Sequence, residues 1–339
     1  MFSVIVAGCG SIVNKWFENA LAREDVKITA VVDPIEKNAV AHKERYGLNC
    51  PVFGNISEAF GKVEANLVFN TTPPAMHEEI IISALMNGLD VFTEKPLADS
   101  VEAARDIILA ADETGRKCFV LQNRRYLYGI RTLRSLIEKE AVGKPFHISV
   151  DMLLGAHFTG FRNEMEHPLL LDMSIHTFDE ARYLLGDVTA VSAYCQEYNP
   201  PHSWYRGEGA ADAIFEMSGG TVISFRGSWI GRAENTSSHG RWTVSCGEGA
   251  AVWDGYRGVW LNEAQPVRPD AGYYEEEGLR REIALLRDGR EEHDGCLDAM
   301  FNALKTGRAM QTDCHNNIHS LAMTRACIKS SVTGEKVML

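Results

Sequence analysis

The chain predicts an α/β domain on a parallel sheet, followed by an α+β domain on a mostly antiparallel sheet. Two observations carry this. Short apolar runs alternate with amphipathic stretches from residue 3 to about 125, the pattern of a parallel sheet covered on both faces. Beyond that point, longer strand-like runs follow one another with hairpin turns between them. In order, residues 3–8 form the first apolar run, and Ile12, Val13, Trp16, Phe17, Ala20 and Leu21 recur at helical spacing. Residues 28–33 (ITAVVD) are rich in β-branched side chains, and 36–46 suit a helix stopped by Gly47. Residues 67–72, 90–94 and 117–122 read as strands, with helices at 75–87 and 101–114 closed by Gly88 and Gly115.

After a helix at 128–140, strands are predicted at 146–154, 189–198, 211–217, 221–229, 242–246 and 259–261. A helix at 169–185 interrupts them, and two more follow near 296–304 and 316–331. The predicted domains are 1–123 and 124–339.

The 34 basic and 46 acidic residues leave a net charge of −12, which argues against a nucleic-acid partner. No apolar run approaches the roughly 20 residues of a membrane helix. The first residues, MFSVIV, lack the basic flank and long apolar region of a signal peptide. Eight scattered cysteines without a C-x-x-C pair read as reduced thiols of a cytoplasmic protein. No metal site is expected. Asp313-Cys314-His315, with His319, has a ligand-like spacing, but it reads as a helix start capped by Asp313.

Gly8-Cys9-Gly10-Ser11-Ile12-Val13 sits between the first strand and the first helix, with Val13 in the third glycine position of a G-x-G-x-x-G/A turn. Gly8 permits the tight turn, and Gly10 lets backbone approach a pyrophosphate at the helix N-terminus. Asp33 ends the second strand 23 residues after Gly10, where a carboxylate accepts from ribose hydroxyls. It would repel a 2′-phosphate, so NAD is favoured over NADP, although Lys37 lies close in sequence. A structural turn and a capping aspartate would use the same residues; three features at the right spacing favour the cofactor.

With Glu94-Lys95-Pro96 after the fifth run, the chain resembles the glucose–fructose oxidoreductase/inositol dehydrogenase (Gfo/Idh/MocA) family. The resemblance also includes Thr72-Pro73-Pro74-Ala75-Met76-His77, the segment 84–96, Asn123-Arg124-Arg125 and Asp172-Met173-Ser174-Ile175-His176. It implies an N-terminal Rossmann dinucleotide-binding domain and a C-terminal α+β domain with an open, mostly antiparallel sheet. It implies NAD(P)-dependent oxidation or reduction of a sugar, cyclitol or related polyol, and homodimers or homotetramers packed through that sheet. Val13 departs from the pattern. So does Glu166-His167-Pro168, where many members are glycine-rich, and this points to a different substrate contact at His167.

Asp172 and His176 stand four apart on a predicted helix and share a face. A histidine suits proton transfer in either direction. The resemblance assigns that role to His176, with Asp172 in support; read alone, the pair better suits a buried histidine bonded to a helix neighbour, and the resemblance reverses that preference. Lys95, at the end of a parallel strand, can stabilise an alkoxide-like oxygen, and the resemblance places it between nicotinamide and substrate. Cofactor contacts are expected at Gly8, Gly10, Ser11, Ile12, Asp33, Thr72, Pro73, His77, Glu94, Lys95, Asn123 and Arg124. Substrate contacts are expected at Lys95, His157, Arg162, His167, Asp172 and His176. Trp204, Tyr205 and Trp229 are expected in the core or a subunit contact rather than on a sugar. Two other readings stay open: a glycosidase- or lyase-type enzyme that retains NAD and oxidises transiently, and a cofactor-binding protein without turnover.

Overall fold

The computed structural model describes residues 1–265 and 278–339. The chain forms two compact units: Met1–Asn123 with Arg290–Leu321, and Arg124–Gly289 with Ala322–Leu339.

In the first unit, β1 (Phe2–Ala7), β2 (Val26–Val32), β3 (Val52–Phe53), β4 (Leu67–Asn70), β5 (Asp90–Thr93) and β6 (Cys118–Val120) form one sheet. Its order is β3-β2-β1-β4-β5-β6, and every pairing is parallel. The connections carry α1 (Val13–Leu21), α2 (Glu36–Arg45), α3 (Ile56–Ala59), α4 (His77–Met86) and α5 (Val101–Thr114). β4 is buried at all four residues, which is why it reads as an unbroken apolar run. β3 and α3, of two and four residues, are too short for periodicity to reveal. Ala7 of β1 pairs with Val32 of β2 on one side and Asn70 of β4 on the other. The strand order reverses there, and ligands of open α/β sheets bind beyond the carboxyl ends at such a reversal.

The second unit opens with α6 (Tyr128–Glu138) and β7 (Pro145–Leu153). A single turn, α7 (Phe161–Glu164), precedes a π turn at Leu169–Ser174 that runs into α8 (Ile175–Leu184). Then come β8 (Ala190–Tyr198), β9 (Ala210–Met217), β10 (Val222–Ser228), β11 (Arg241–Cys246), β12 (Gly249–Trp253), β13 (Val259–Glu263), β14 (Leu279–Ile283) and, near the C-terminus, β15 (Val337–Met338). The sheet order is β14-β13-β12-β11-β7-β10-β9-β8-β15, antiparallel throughout except for β7 with β10. Alternation decides which face is covered. Ile148, Val150, Met152, Ala213, Phe215, Met217, Ile223 and Phe225 join one core with Ile130, Leu133, Phe178, Ala181 and Met323. Tyr194, Tyr198 and Ile214 stand on the alternate, exposed positions.

The sequence assigned everything after 123 to the second domain. The structure packs 290–321 with the first unit instead. α9 (Glu292–Thr306) turns Phe301 onto Phe2, Phe69 and Phe92, with ring centroids 5.0, 6.0 and 5.1 Å apart. α10 (Cys314–Thr333) begins in the first unit, where Asp313 Oδ1 accepts from Asn316 N at 2.9 Å, the cap expected there.

All ten residues of α8 are buried, so its charged side chains need partners. Arg125 Nε and Nη2 donate to the two Asp179 oxygens at 2.6 and 2.8 Å, and Nη1 donates to Asp187 Oδ1 at 2.8 Å. Asp179→Asn should therefore destabilise the fold by about 3–5 kcal/mol, because it leaves a buried guanidinium short of its counter-charge. Urea unfolding measures this; a loss below about 1 kcal/mol would mean the pair does not anchor α8.

Candidate active site

In the first unit the glycine turn leaves β1 at the reversal of strand order. Gly8 has φ +92°, and a β-carbon on it would lie 2.7 Å from both Thr71 C and Thr72 N. Only glycine permits that approach. Thr71 Oγ1 then donates to Gly8 O at 2.7 Å and closes the turn onto the segment after β4. Gly10 differs: no heavy atom lies within 4 Å of its added β-carbon. α1 begins at Val13 with no side-chain cap and no acidic residue in its first turn. Lys15 N donates to Ile12 O at 3.2 Å, and no capping side chain competes with an anion for the amides ahead of it. Val13 itself is fully buried, which accounts for an apolar residue in the third position. Ser11 and Ile12 are exposed beside the turn.

Asp33 is fixed by backbone. Oδ2 accepts from Cys9 N at 2.8 Å, and Oδ1 accepts from Ile35 N at 2.8 Å and Asn38 Nδ2 at 3.4 Å. Burial and this charge push the Cys9 thiol up to about 12. A carboxylate offers about four acceptor sites, so lone pairs remain for hydroxyl donors. Gly10's open side, the uncapped amides and the fixed carboxylate fit a dinucleotide.

Beyond β4 and β5, Thr72 Oγ1 donates to Asn70 Oδ1 at 2.6 Å, and Pro73 leads into a short 3-10 turn. Glu94 accepts from Trp16 Nε1 at 2.7 Å and from the Lys95 amide at 3.3 Å, and the Lys95–Pro96 peptide is cis. His77 is fully buried, with Nδ1 2.8 Å from Pro96 O and Nε2 2.9 Å from Thr72 O. It ties the segment after β4 to the one after β5. Burial holds its pKa below the ordinary value against the pull of those carbonyls. A neutral ring donates to one of them at a time.

Asn123 Nδ2 donates to His293 Nδ1 at 3.3 Å. Burial, with Lys15 and Lys95 nearby, drives His293 down to about 4, so this ring is neutral. Sequence reasoning missed His293. It lies far along the chain in α9, and no local motif marks it.

In the second unit, Arg162 Nε donates to Asp172 Oδ2 at 2.6 Å, with Nη2 3.5 Å from Oδ1. Its guanidinium also sits 4.7 Å from the Phe161 ring centroid. Asp172 lies in the π turn and His176 in the first turn of α8, where it is nearly buried. π turns recur at functional sites. Arg124 belongs to this unit: Nη1 donates to Ser238 O at 2.8 Å, and Nη2 lies against Met173. Glu180, one turn beyond His176, is fully buried with neither oxygen hydrogen-bonded among the described residues; burial pushes its carboxyl up to about 8.

His157 is exposed and stacks on Trp204 at 3.7 Å between centroids. Trp204 Nε1 and the Tyr205 hydroxyl both donate to Ala156 O, and Trp229 is fully buried, so these aromatics support the loop. His167 turns onto two carboxylates, Glu197 at 2.8 Å and Glu208 at 3.6 Å.

This fold and the glycine–aspartate arrangement define an NAD-binding oxidoreductase. Residues 2–122 match the description "Oxidoreductase family, NAD-binding Rossmann fold", and residues 130–252 match "GFO/IDH/MocA C-terminal domain". The chain belongs to the Gfo/Idh/MocA oxidoreductase family. It is 23% identical over 334 residues to a 1,5-anhydro-D-fructose reductase of Ensifer adhaerens, covering 97% of this chain and 96% of that one. Over 145 residues it is 32% identical to the scyllo-inositol 2-dehydrogenase (NAD(+)) of Bacillus subtilis strain 168, covering 40% of each. Among solved structures, an oxidoreductase from Agrobacterium radiobacter in complex with NAD+, L-tartaric acid and magnesium superposes with a TM-score of 0.85. The two share 19% identity, over 99% of this chain and 98% of that one.

Proposed function

We propose that the chain transfers a hydride between NAD and the hydroxyl or keto carbon of a sugar, cyclitol or related polyol. The observation that carries the reading is the glycine turn closed on Thr71 beside a backbone-fixed Asp33 at the reversal of strand order. Relatives named for 1,5-anhydro-D-fructose and scyllo-inositol support the substrate class. Their names as reductase and dehydrogenase disfavour the NAD-retaining lyase and the protein without turnover.

Bound NAD supplies the hydride acceptor for oxidation and the donor for reduction. Gly8, Gly10, Ser11 and Ile12 hold the pyrophosphate, and Asp33 accepts from the adenosine ribose and selects against NADP. Thr72, Pro73, Glu94, Asn123 and Arg124 complete the cofactor side. His77, expected there too, is fully buried with both ring nitrogens on backbone carbonyls and instead holds the segments after β4 and β5 together. Lys95 donates to the reacting oxygen and favours its alkoxide. His176 takes the hydroxyl proton in oxidation and returns it in reduction. Asp172, anchored by Arg162, orients substrate hydroxyls, which His157, Arg162 and His167 also contact.

The outer face of the nine-stranded sheet supports a homodimer or homotetramer, with Tyr194, Tyr198 and Ile214 exposed by 45, 42 and 51%. No helix among the described residues is long and apolar enough to cross a membrane. Eight free, buried cysteines suit a reducing cytoplasm.

NADH fluorescence against a panel of polyols and sugars, with NAD and NADP compared, tests this reading. NADH should accumulate with at least one member, and faster than NADPH. NAD binding without turnover across the panel would favour the cofactor-binding rival; product without NADH would favour transient oxidation.

A further inference from the structure

Glu197 occupies the covered face of β8, at the alternation position of Ala193 and Cys195, where a carboxylate is out of place. It is 4% exposed. One oxygen, Oε2, meets His167 Nδ1 at 2.8 Å. The other, Oε1, is buried with no hydrogen-bond partner of normal geometry among the described residues. The Ser331 hydroxyl accepts from the Glu197 backbone N–H at 3.0 Å and also favours the charged carboxylate. Such an oxygen is costly unless something electropositive meets it.

Glu208 approaches from the open side. Its side chain is 41% exposed, and Oε2 lies 3.6 Å from the same His167 nitrogen. One ligand atom from each of the three residues lies within 4.8 Å of the others. His167 reaches this place with φ 52°, a left-handed backbone conformation that a non-glycine residue adopts only when held there.

We propose that His167, Glu197 and Glu208 bind one divalent transition-metal ion, of which Zn²⁺ is the best match. The donors are one imidazole and two carboxylates. Imidazole favours zinc and its neighbours over magnesium or calcium. Two carboxylates balance the ion's charge when the imidazole is neutral. Tetrahedral bonds of about 2.0–2.2 Å place ligand atoms about 3.4 Å apart, between the 2.8 and 3.6 Å separations present here. Three protein ligands leave a fourth position for water, and the exposed Glu208 gives the ion a way in. The proposal rests on the geometry of these three side chains and not on the substrate contact proposed for His167.

The test uses the full-length, tag-free protein, stripped with EDTA, dialysed and titrated with zinc chloride. Calorimetry reads affinity, and elemental analysis reads equivalents. The wild type should take up one ion at this site and gain thermal stability with it. Glu208→Gln, a change at a partly exposed side chain, should weaken binding by at least about tenfold, and His167→Ala by about 100-fold or more. Circular dichroism confirms that each variant is folded. No saturable uptake by the wild type would overturn the proposal and leave a proton-sharing His–Glu–Glu cluster. So would uptake unchanged in the folded Glu208→Gln variant, which would place zinc elsewhere.

Discussion

His176→Ala is expected to lower kcat by about 10²–10⁴-fold while leaving NAD affinity near the wild-type value. The imidazole stands in the first turn of a helix whose ten residues are all buried, so its position is set by packing. On the proposed reading, its removal deletes the proton acceptor, whereas the glycine turn is built within the first unit. Steady-state turnover and NAD titration by fluorescence quenching read the two quantities separately. A variant that turns over at the wild-type rate removes His176 from the mechanism. One that loses NAD affinity in parallel gives the residue a binding role instead.

Gly8→Ala should destabilise the protein by about 2–5 kcal/mol and abolish NAD binding. A β-carbon there meets three backbone atoms of Thr71 and Thr72 at 2.7, 2.7 and 2.8 Å, and φ +92° is unsuited to a side chain. Relief requires moving the segment that Thr71 pins to the turn. Gly10→Ala is the contrasting case. Its β-carbon would meet nothing within 4 Å, so the fold should tolerate it. On the proposed reading the added methyl stands where the pyrophosphate would approach, and NAD affinity should fall by at least about tenfold, or 1.4 kcal/mol. Thermal melting and NAD titration of the two variants separate these outcomes. If Gly10→Ala binds NAD as the wild type does, the turn does not hold the pyrophosphate.

Much of the first sheet was legible because its strands are buried on both faces. Runs such as the LVFN of β4 need no partner to be recognised. The spacing from Gly10 to Asp33 was legible for the same local reason: a strand, a turn, a helix and a second strand occur in sequence. Features made by distant pairing were not. The parallel contact of β7 with β10 joins Val150 to Phe225, and nothing in either strand announces it. Helix α9 shows an apolar face, but a face does not say which sheet it covers; Phe301 chose the first unit. The helix at 169–185 was expected, yet its π opening was not, because a π turn has no sequence periodicity of its own.

The candidate site divides in the same way. Gly8, Asp33, Lys95, Asp172 and His176 lie within short motifs and could be named from them. The partners that give them chemistry come from elsewhere in the chain. Arg162 on Asp172, Trp16 on Glu94 and His293 on Asn123 appear only once the chain is folded. His167 is the sharpest instance. Its departure from the family pattern was visible in sequence, but the carboxylates it meets are 30 and 41 residues away.

Net hydride transfer to the nicotinamide can be followed by isotope tracing. A substrate found in the panel, carrying deuterium at the reacting carbon, is incubated with the protein and NAD. One deuterated NADH is expected for each oxidised product released. Deuterium retained in the product or washed into water, with no labelled NADH, would contradict it.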